Sequence, residues 1–418
     1  MTGQEAEALI HQRAWTGQTP GLERIRRLLG KLGDPQERLR SVHIAGSNGK
    51  GSTAAMLSSI LTAAGLRTGL YTSPHLWSFS ERFQVDGAPI SEGDLAALTA
   101  QVLEAAEDET EFELMTAIGM LYFLRSGCDI VVLETGLGGR LDPTNVIGAP
   151  EAAAIAHIGL EHTQLLGDTL ERIAAEKAGI LKPGCEAVLY RQDRAVMETV
   201  EGICRERDIP LTATCPEALE LLSSGLEGQT FTYRDKGPYH ISLLGEHQLH
   251  NAAVVLDTVD ILRRRGWSIP GEVVVQGLAR ARWPGRMELV RRSPDLILDG
   301  GHNPQCMEAL ARALRELCPA KKPVFLTGVM ADKDWRAMME ELLPLAKELF
   351  TLTPDSPRAL TAGELAAYLK GRGASASPCG SLREGIGRAL AAAGPEGLVC
   401  VCGSLYTIGE ARHLLGLC

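Results

Sequence analysis

Residues 41–53, SVHIAGSNGKGST, constrain this chain more than any other stretch. A β-rich lead-in, Val42-His43-Ile44, runs into Gly46, Ser47, Asn48, Gly49, Lys50, Gly51, Ser52 and Thr53, and the helix-like AAMLSSILTAAG follows. Closely spaced glycines let backbone N–H groups turn inward on one anion, the helix N-terminus adds a partial positive charge, and Lys50 supplies a full one. That combination suits a phosphate. The spacing departs from the general G-x-x-x-x-G-K-[ST] loop: only Ser47 and Asn48 stand between Gly46 and Gly49-Lys50, and Gly51 separates Lys50 from Ser52. A plain strand-turn-helix connection would also use Gly and Asn, so the rest of the chain must decide.

With 418 residues the chain exceeds what one core usually supports, and two domains are expected. Its 45% apolar and 22% charged residues are ordinary for a globular protein. A formal charge of −10 argues against nucleic-acid binding, which needs a basic stripe, but leaves room for a local pocket that takes a small anion. No window reaches the apolar run needed to span a bilayer, and MTGQEAEALI carries acids early without a signal-peptide core. A cytoplasmic protein with no membrane partner is expected. The ten cysteines are scattered without a CxxC pair, and the closest two, Cys400 and Cys402, sit at strand spacing, as buried thiols in a reducing compartment would.

The segment GLERIRRLLGKLG reads as an amphipathic helix ahead of the first strand. Leu70 and Tyr71 end a short strand that Pro74, lacking an N–H, cannot continue. SEGDLAALTAQVLEAAED reads as a helix opened by Ser91 and Asp94, and FELMTAIGMLYFLRSG as another. Two apolar strands, residues 129–133 and 152–158, run into Glu134 and into Glu161-His162. Short apolar runs alternating with helices indicate a parallel sheet covered on both faces, whose ligands sit beyond the carboxyl ends of the strands. The glycine loop, Glu134 and His162 all fall at that edge. TLERIAAEKAGILKPG is a helix carrying Lys177, residues 211–244 are β-rich and irregular, and a helix starts after Gly245. Pro284 and Gly285 break the pattern, and the boundary is placed there. Beyond it, DLILDGGHNPQCMEALARAL, KPVFLTG, ELFTLTP and GLVCVCGSLYTIGEARHLL alternate as strands and helices, which points to a smaller Rossmann-like α/β domain.

Glu134 ends its strand beside the glycine-rich Thr135-Gly136-Leu137-Gly138-Gly139 turn and is a natural oxygen ligand for Mg²⁺; a capping or salt-bridged Glu is the competing reading. A strand-end histidine such as His162 is more often a hydrogen-bonded surface residue. Near a helix C-terminus, Lys177 reads on residue physics alone as a solvated cation favouring the helix dipole. Asp299 precedes two glycines at a strand end, suited to a ribose hydroxyl or to forming a turn. Arg286 could fork onto a phosphate or pair an acid.

The ordered segments GSNGKGST, YTSPHL, TEFELMTA, ETGLGGRLDPTN, EHTQLLG, AAEKAGILKPG, GEHQLHNAA, WPGRME, LDGGHNP and CGSLYTIGEA closely resemble the folylpolyglutamate synthase and dihydrofolate synthase family of the ATP-dependent Mur ligase superfamily. The resemblance runs from about residue 20 to the C-terminus. It implies an α/β protein with a P-loop-type, mainly parallel sheet domain flanked by helices over residues 1–284, carrying ATP and the pterin, and a smaller Rossmann-like ligase domain over residues 285–418. Ser47, Asn48, Gly49, Lys50, Gly51 and Ser52 would hold the ATP phosphates, with Asn251, Arg286 and Asp299 also on ATP. Ser73, Glu134 and His162 would lie at the Mg²⁺ sites. Lys177 matches a position where the family carries a carbamoylated lysine, and His302 would join Lys50 and Lys177 in catalysis. Thr110, Glu111, Phe112, Glu113, Leu141, Asp142 and Pro143 match positions near the pterin, and Ser404 would serve the substrate. The family more often shows Thr at Ser47, Asp at Glu161, and Ala at Pro143 and Gly301; of these Pro143 bears on substrate preference.

The implied reaction is amide formation through an acyl phosphate, in which a folate or dihydropteroate carboxylate is phosphorylated by ATP and then attacked by the amine of L-glutamate. A peptidoglycan-type ligase acting on a UDP-linked sugar and a non-catalytic nucleotide switch are the competing readings. A monomer is expected, since no coiled-coil stripe is visible.

Overall fold

In the computed structural model, which describes residues 2–13 and 20–417, the chain divides into two compact units. One comprises Met1–Glu220, Phe231–His240 and Leu249–Ala281, the other Leu221–Thr230, Ile241–Gln248 and Arg282–Cys418.

The first unit is built on an eight-stranded sheet of β1 (Ser41–Ala45), β2 (Thr68–Tyr71), β3 (Phe83–Val85), β4 (Ala88–Pro89), β5 (Ile130–Glu134), β6 (Ala152–Ile155), β7 (Glu186–Leu189) and β8 (Leu211–Ala213), in the spatial order β4-β3-β2-β5-β1-β6-β7-β8. From β2 through to β8 neighbouring strands run parallel, and only the β4-β3-β2 margin is antiparallel. Strands β1, β2, β5 and β6 are buried at every position, as sheets covered by helices on both faces require. Alternate residues feed opposite cores. Val131 and Leu133 join one cluster with Leu114, Ile118 and Phe123 of helix Glu111–Arg125, while Ala153 and Ile155 join another with Ile173, Val196 and Val200. Each such fully buried aliphatic side chain stabilises the fold by roughly 2 kcal/mol.

Register brings the functional strand ends together. Ile44 of β1 faces Glu134 of β5, Ala45 faces Ile155 of β6, and Tyr71 of β2 faces Leu133. The glycine loop, Thr72-Ser73 and Glu134 therefore leave the sheet at one edge. Strand β6 stops at Ile155, short of the expected residue 158. The carbonyl of His157 accepts hydrogen bonds from Ser47 N and Asn48 N at 2.7 and 3.1 Å, so this segment turns from its neighbouring strand to the glycine loop. Helix Leu170–Lys177 ends at Lys177 itself and passes into a 3₁₀ turn, Ala178–Ile180. The amphipathic lead-in forms helix Glu23–Lys31.

Strands β9 (Leu219–Gly225), β10 (Gly228–Tyr233) and β11 (Lys236–Ile241) make a three-stranded sheet in the order β11-β10-β9, and helix Glu246–Arg264 follows.

The second unit carries a six-stranded sheet of β12 (Glu288–Arg291), β13 (Asp295–Asp299), β14 (Val324–Thr327), β15 (Glu348–Thr351), β16 (Ala376–Pro378) and β17 (Leu398–Cys402), in the order β12-β13-β17-β14-β15-β16. All pairs are parallel except β12 with β13. Its helices start on side-chain caps: Asn303, Asp334, Thr361, Ser381 and Ser404 each accept a backbone N–H of the first turn, each worth about 1 kcal/mol. Cys400 and Cys402 are buried on β17, and no described cysteine forms a disulfide. Among the described residues no helix is long and apolar enough to cross a membrane.

Candidate active site

The glycine loop joins β1 to helix Lys50–Ala63, with Gly49 at the N-cap in the left-handed region at φ 85°. A side chain at Gly49 would collide with the carboxamide of the buried Asn251, so a residue from helix Glu246–Arg264 lies directly against the loop. The Ser47 hydroxyl donates to Gly159 O and accepts from Gly159 N, both at 3.0 Å, a role that needs a hydroxyl at this position. Lys50 Nζ folds back on Ser47 O at 3.2 Å. Ser52 is buried in the first turn of the helix, and Gly51 precedes it.

Lys177 is not the solvated cation that its position at a helix end suggests. It is 1% exposed. Its ammonium donates to Gly46 O at 2.7 Å and to Glu161 Oε1 at 2.9 Å. Burial lowers its pKa to about 8, with Glu161 pulling upward and Lys50 adding to the decrease. For Glu161 burial pushes the other way, but Lys177 and Lys50 hold its pKa down at about 2. The cause of this burial lies in the turn after Glu134. A Cβ at Gly139 would come within 2.6 Å of Lys177 O, and Arg140 N donates to Glu176 O at 2.8 Å, so the glycine-rich turn packs onto the end of the lysine's helix. In the sequence Glu161 stands at a strand end beside His162 and departs from the family pattern, with no partner indicated. A buried lysine demands a carboxylate, but nothing in the sequence reports the burial.

Glu134 is buried at the end of β5, and its Oε2 accepts from Ser73 N at 3.2 Å. His162 is exposed, at φ 47°, capping the short helix Thr163–Leu166 beside Glu161. No group of three His, Cys, Asp or Glu side chains is gathered as a metal cluster among the described residues. Mg²⁺ does not need one, since it keeps several waters and takes one or two carboxylates besides phosphate oxygens.

The residues matched to the pterin positions form a second, internally bonded constellation. Thr110 and Glu113 make a reciprocal capping box at the start of helix Glu111–Arg125, and Glu113 Oε2 also accepts from Arg24 Nε at 3.1 Å. Glu111 Oε1 bonds His11 Nδ1 at 2.9 Å. Phe112 packs where a side chain on Gly136 would stand and lies edge-on to Tyr71. Asp142 is buried, and burial raises its pKa against the hydrogen bonds it receives. Its Oδ2 accepts from Gly136 N and Leu137 N at 2.9 and 2.8 Å, and its Oδ1 from Thr144 N at 3.0 Å. Thr144 in turn bonds the buried His43 of β1 at 2.8 Å. Leu141 and Pro143, on either side of Asp142, are half-buried.

In the second unit Asp299, at the end of β13, accepts from Met287 N at 2.9 Å and Gly301 N at 2.8 Å. Burial raises its pKa, and Arg286 acts in the opposite direction. A Cβ at Gly301 would stand 2.8 Å from Asp299 Oδ1, and one at Gly300 would stand 3.0 Å from Arg286 Nη1. The first contact explains why glycine suits position 301 in this chain. His302 Nδ1 bonds Gly300 O at 3.0 Å, and Ser404 caps helix Leu405–Leu414.

Comparison with known proteins finds matches in both parts of the chain. Residues 44–259 match the Mur ligase middle domain and residues 285–405 the Mur ligase glutamate ligase domain. The chain is 34% identical over 429 aligned residues to a dihydrofolate synthase/folylpolyglutamate synthase of Bacillus subtilis, with 99% of each chain covered. It is 31% identical to the Escherichia coli protein of that name, covering 94% of this chain and 91% of that one. Among solved structures, the folylpolyglutamate synthase of Mycobacterium tuberculosis complexed with ADP matches with a TM-score of 0.88 at 33% identity, covering 99% of this chain and 98% of that one. E. coli FolC in complex with DHPP and ADP matches with a TM-score of 0.89 at 28% identity, covering 100% and 98%. With matches of this extent in sequence and in structure, the chain belongs to the folylpolyglutamate synthase/dihydrofolate synthase family of ATP-dependent Mur ligases.

Proposed function

We propose that this ligase joins L-glutamate to the carboxylate of a folate or dihydropteroate, using ATP and releasing ADP and phosphate. The observation that carries the reading is the junction of glycine loop and Lys177, in which Gly46 O accepts from Lys177 Nζ at 2.7 Å and Lys50 acts through space on the same lysine. Two cations and a helix N-terminus in one buried place suit a phosphoryl group in transfer. Bound ADP in the M. tuberculosis and E. coli relatives supports the nucleotide assignment, and DHPP in the latter supports a pteridine acceptor.

In this reading residues 1–284 carry ATP and the pterin and residues 285–418 form the ligase domain. The loop from Ser47 to Ser52 holds the phosphates, through the N–H groups from Gly49 to Ser52 while those of Ser47 and Asn48 stay on His157 O and shape the loop, and Lys50 releases Ser47 O to meet the transferred phosphoryl group. Asn251 orients the nucleotide beside Gly49, and Arg286 and Asp299 are assigned to ATP as well. The donors present fit a hard cation, because Glu134 offers a buried carboxylate and Ser73 a hydroxyl on the segment it is bonded to. With His162 they would hold Mg²⁺, which when bound would offset the negative charge of the phosphates. The lowered pKa of Lys177 leaves a share of neutral amine able to add CO₂ and lose a proton, giving an anionic carbamate. The acceptor carboxylate takes the phosphoryl group, and the glutamate amine displaces phosphate from the acyl phosphate. Thr110, Glu111, Phe112, Glu113, Leu141, Asp142 and Pro143 shape the pterin position, and His302 and Ser404 serve the second step. The protein acts as a cytoplasmic monomer, in keeping with its free cysteines.

Mass spectrometry of products formed from dihydropteroate and from tetrahydrofolate, each with ATP and glutamate, tests the reading. A gain of one glutamate on either acceptor is expected, and a gain on neither overturns it.

A further inference from the structure

Arg82 is a buried guanidinium with no ion pair among the described residues. It ends the 3₁₀ turn Phe79–Arg82 and is 8% exposed. Its Nε donates to His75 Nδ1 at 2.9 Å, and its guanidinium carbon lies 5.5 Å from the centroid of the Phe79 ring. Among the described residues its Nη groups donate to no protein acceptor. His75 brings no negative charge, since an imidazole is either neutral or cationic, and here its Nδ1 accepts from Arg82 Nε.

The acids around Arg82 are engaged elsewhere. Tyr71, Glu111, Glu7 and Glu134 act on it through space, yet desolvation outweighs them and its pKa falls below the usual arginine value. Glu111 and Glu7 bond the two nitrogens of His11 at 2.9 and 3.3 Å, and Glu134 bonds Ser73 N at 3.2 Å. Tyr71 is a phenol that burial keeps neutral. A buried charge that the protein does not pair is unfavourable and marks a place where a ligand supplies the partner. A planar guanidinium with both Nη groups uncommitted matches a carboxylate in a forked arrangement.

The surroundings select among the anions of the reaction. Phe79 lies under the guanidinium, and a chain of ring contacts runs from Phe79 to Phe83 at 5.8 Å, on to Tyr71 at 5.7 Å and to Phe112 at 6.1 Å. A carboxylate attached to an aromatic ring satisfies the cation, and of these rings the half-buried Phe112, at a position matched to the pterin, is the one with surface for a ligand, Phe79, Phe83 and Tyr71 being buried in the core. Free glutamate has no ring to set against it, and the nucleotide phosphates have the glycine loop. Glu134, assigned above to the metal, is within electrostatic reach of Arg82, so a carboxylate held here lies toward the phosphoryl donor.

We propose that Arg82 is a carboxylate-binding residue of the acceptor site, receiving the aryl carboxylate of a dihydropteroate-type acceptor before that group is phosphorylated. The assignment rests on the function proposed above. It is tested by calorimetric binding of pteroate, and of the analogue in which hydrogen replaces the carboxylate, to the wild-type protein and to Arg82→Gln. The wild type is expected to prefer pteroate by at least about 10-fold, the range of a charge-assisted hydrogen bond, and Arg82→Gln to bind the two ligands alike. In turnover, the KM for dihydropteroate rises in the variant by a similar factor, while those for ATP and glutamate stay within about 2-fold. A carboxylate preference that survives in Arg82→Gln, or a rise confined to the glutamate or ATP KM, overturns the proposal. If Arg82→Gln does not fold, as judged by circular dichroism, Arg82→Lys keeps the charge without the fork, and an undiminished preference there overturns it equally. A wild type that binds pteroate through its carboxylate but forms no glutamyl product would instead remove the function and leave the subsite.

Discussion

Lys177 and Glu161 form an ion pair of 2.9 Å whose side chains are 2% and 15% exposed. The same ammonium holds Gly46 O at the foot of the glycine loop, so one buried charge organises a carboxylate and the loop together. Removing one member of such a pair strands the other.

That relationship has a pH signature. The Glu161 pKa is held at about 2, against 4.5 for an ordinary glutamate. The stability it contributes is present above pH 4.5 and lost as pH falls toward 2. The Lys177 pKa is lowered from 10.5 to about 8, so the penalty for its buried charge is full below pH 8 and fades as pH rises to 10.5. Glu161→Gln is expected to lower stability at neutral pH and to flatten the acid limb between pH 4.5 and 2. Urea unfolding measured across pH checks this, and an unchanged acid limb would show that the pair contributes nothing.

Gly49→Ala places a side chain at φ 85° and against Asn251. The left-handed backbone alone costs about 1–2 kcal/mol for a residue with a Cβ. Thermal unfolding is expected to register that loss, and ATP KM to rise. Adding Asn251→Ala relieves the collision and leaves the backbone term, so the double variant recovers only part of the stability. Full recovery would mean that the backbone conformation carries no cost.

Glu134→Gln keeps the shape of the side chain and removes its charge. The magnesium concentration for half-maximal turnover is expected to rise at least about 10-fold, a loss that even an outer partner of a metal site produces. Chelation of the wild type should abolish turnover, and added Mg²⁺ restore it. A variant with the wild-type magnesium titration would place the cation elsewhere.

Asp142→Ala withdraws the acceptor from three N–H groups, those of Gly136, Leu137 and the buried Thr144. A cost of about 1–3 kcal/mol follows from stranding the buried donor. Denaturant unfolding measures it. Because the turn it holds carries Gly136 against Phe112, the acceptor KM is expected to rise more than the ATP KM.

The sequence announced the sheet and the edge at which the glycine loop and Glu134 leave it. Apolar runs ending in Glu134 and Asp299, glycines after each, and the capping Ser91 are local signals, and the structure realises them locally. The end of β6 was misjudged because the backbone of His157 bonds the glycine loop more than a hundred residues earlier in the chain, and hydrophobicity says nothing about such a partner.

From residue order alone came the α/β alternation, the anion-suited loop, the acid at the end of β5 and the family motifs, all properties of contiguous stretches a few residues long. Only the tertiary structure decided what Lys177 and Arg82 are. One is a buried ammonium shared by Gly46 O and Glu161, the other a buried guanidinium with neutral neighbours at hand. The charge of a side chain is written in its chemistry, but the cost of that charge depends on how much water and which carboxylates surround it, and those are fixed only when distant segments close over it.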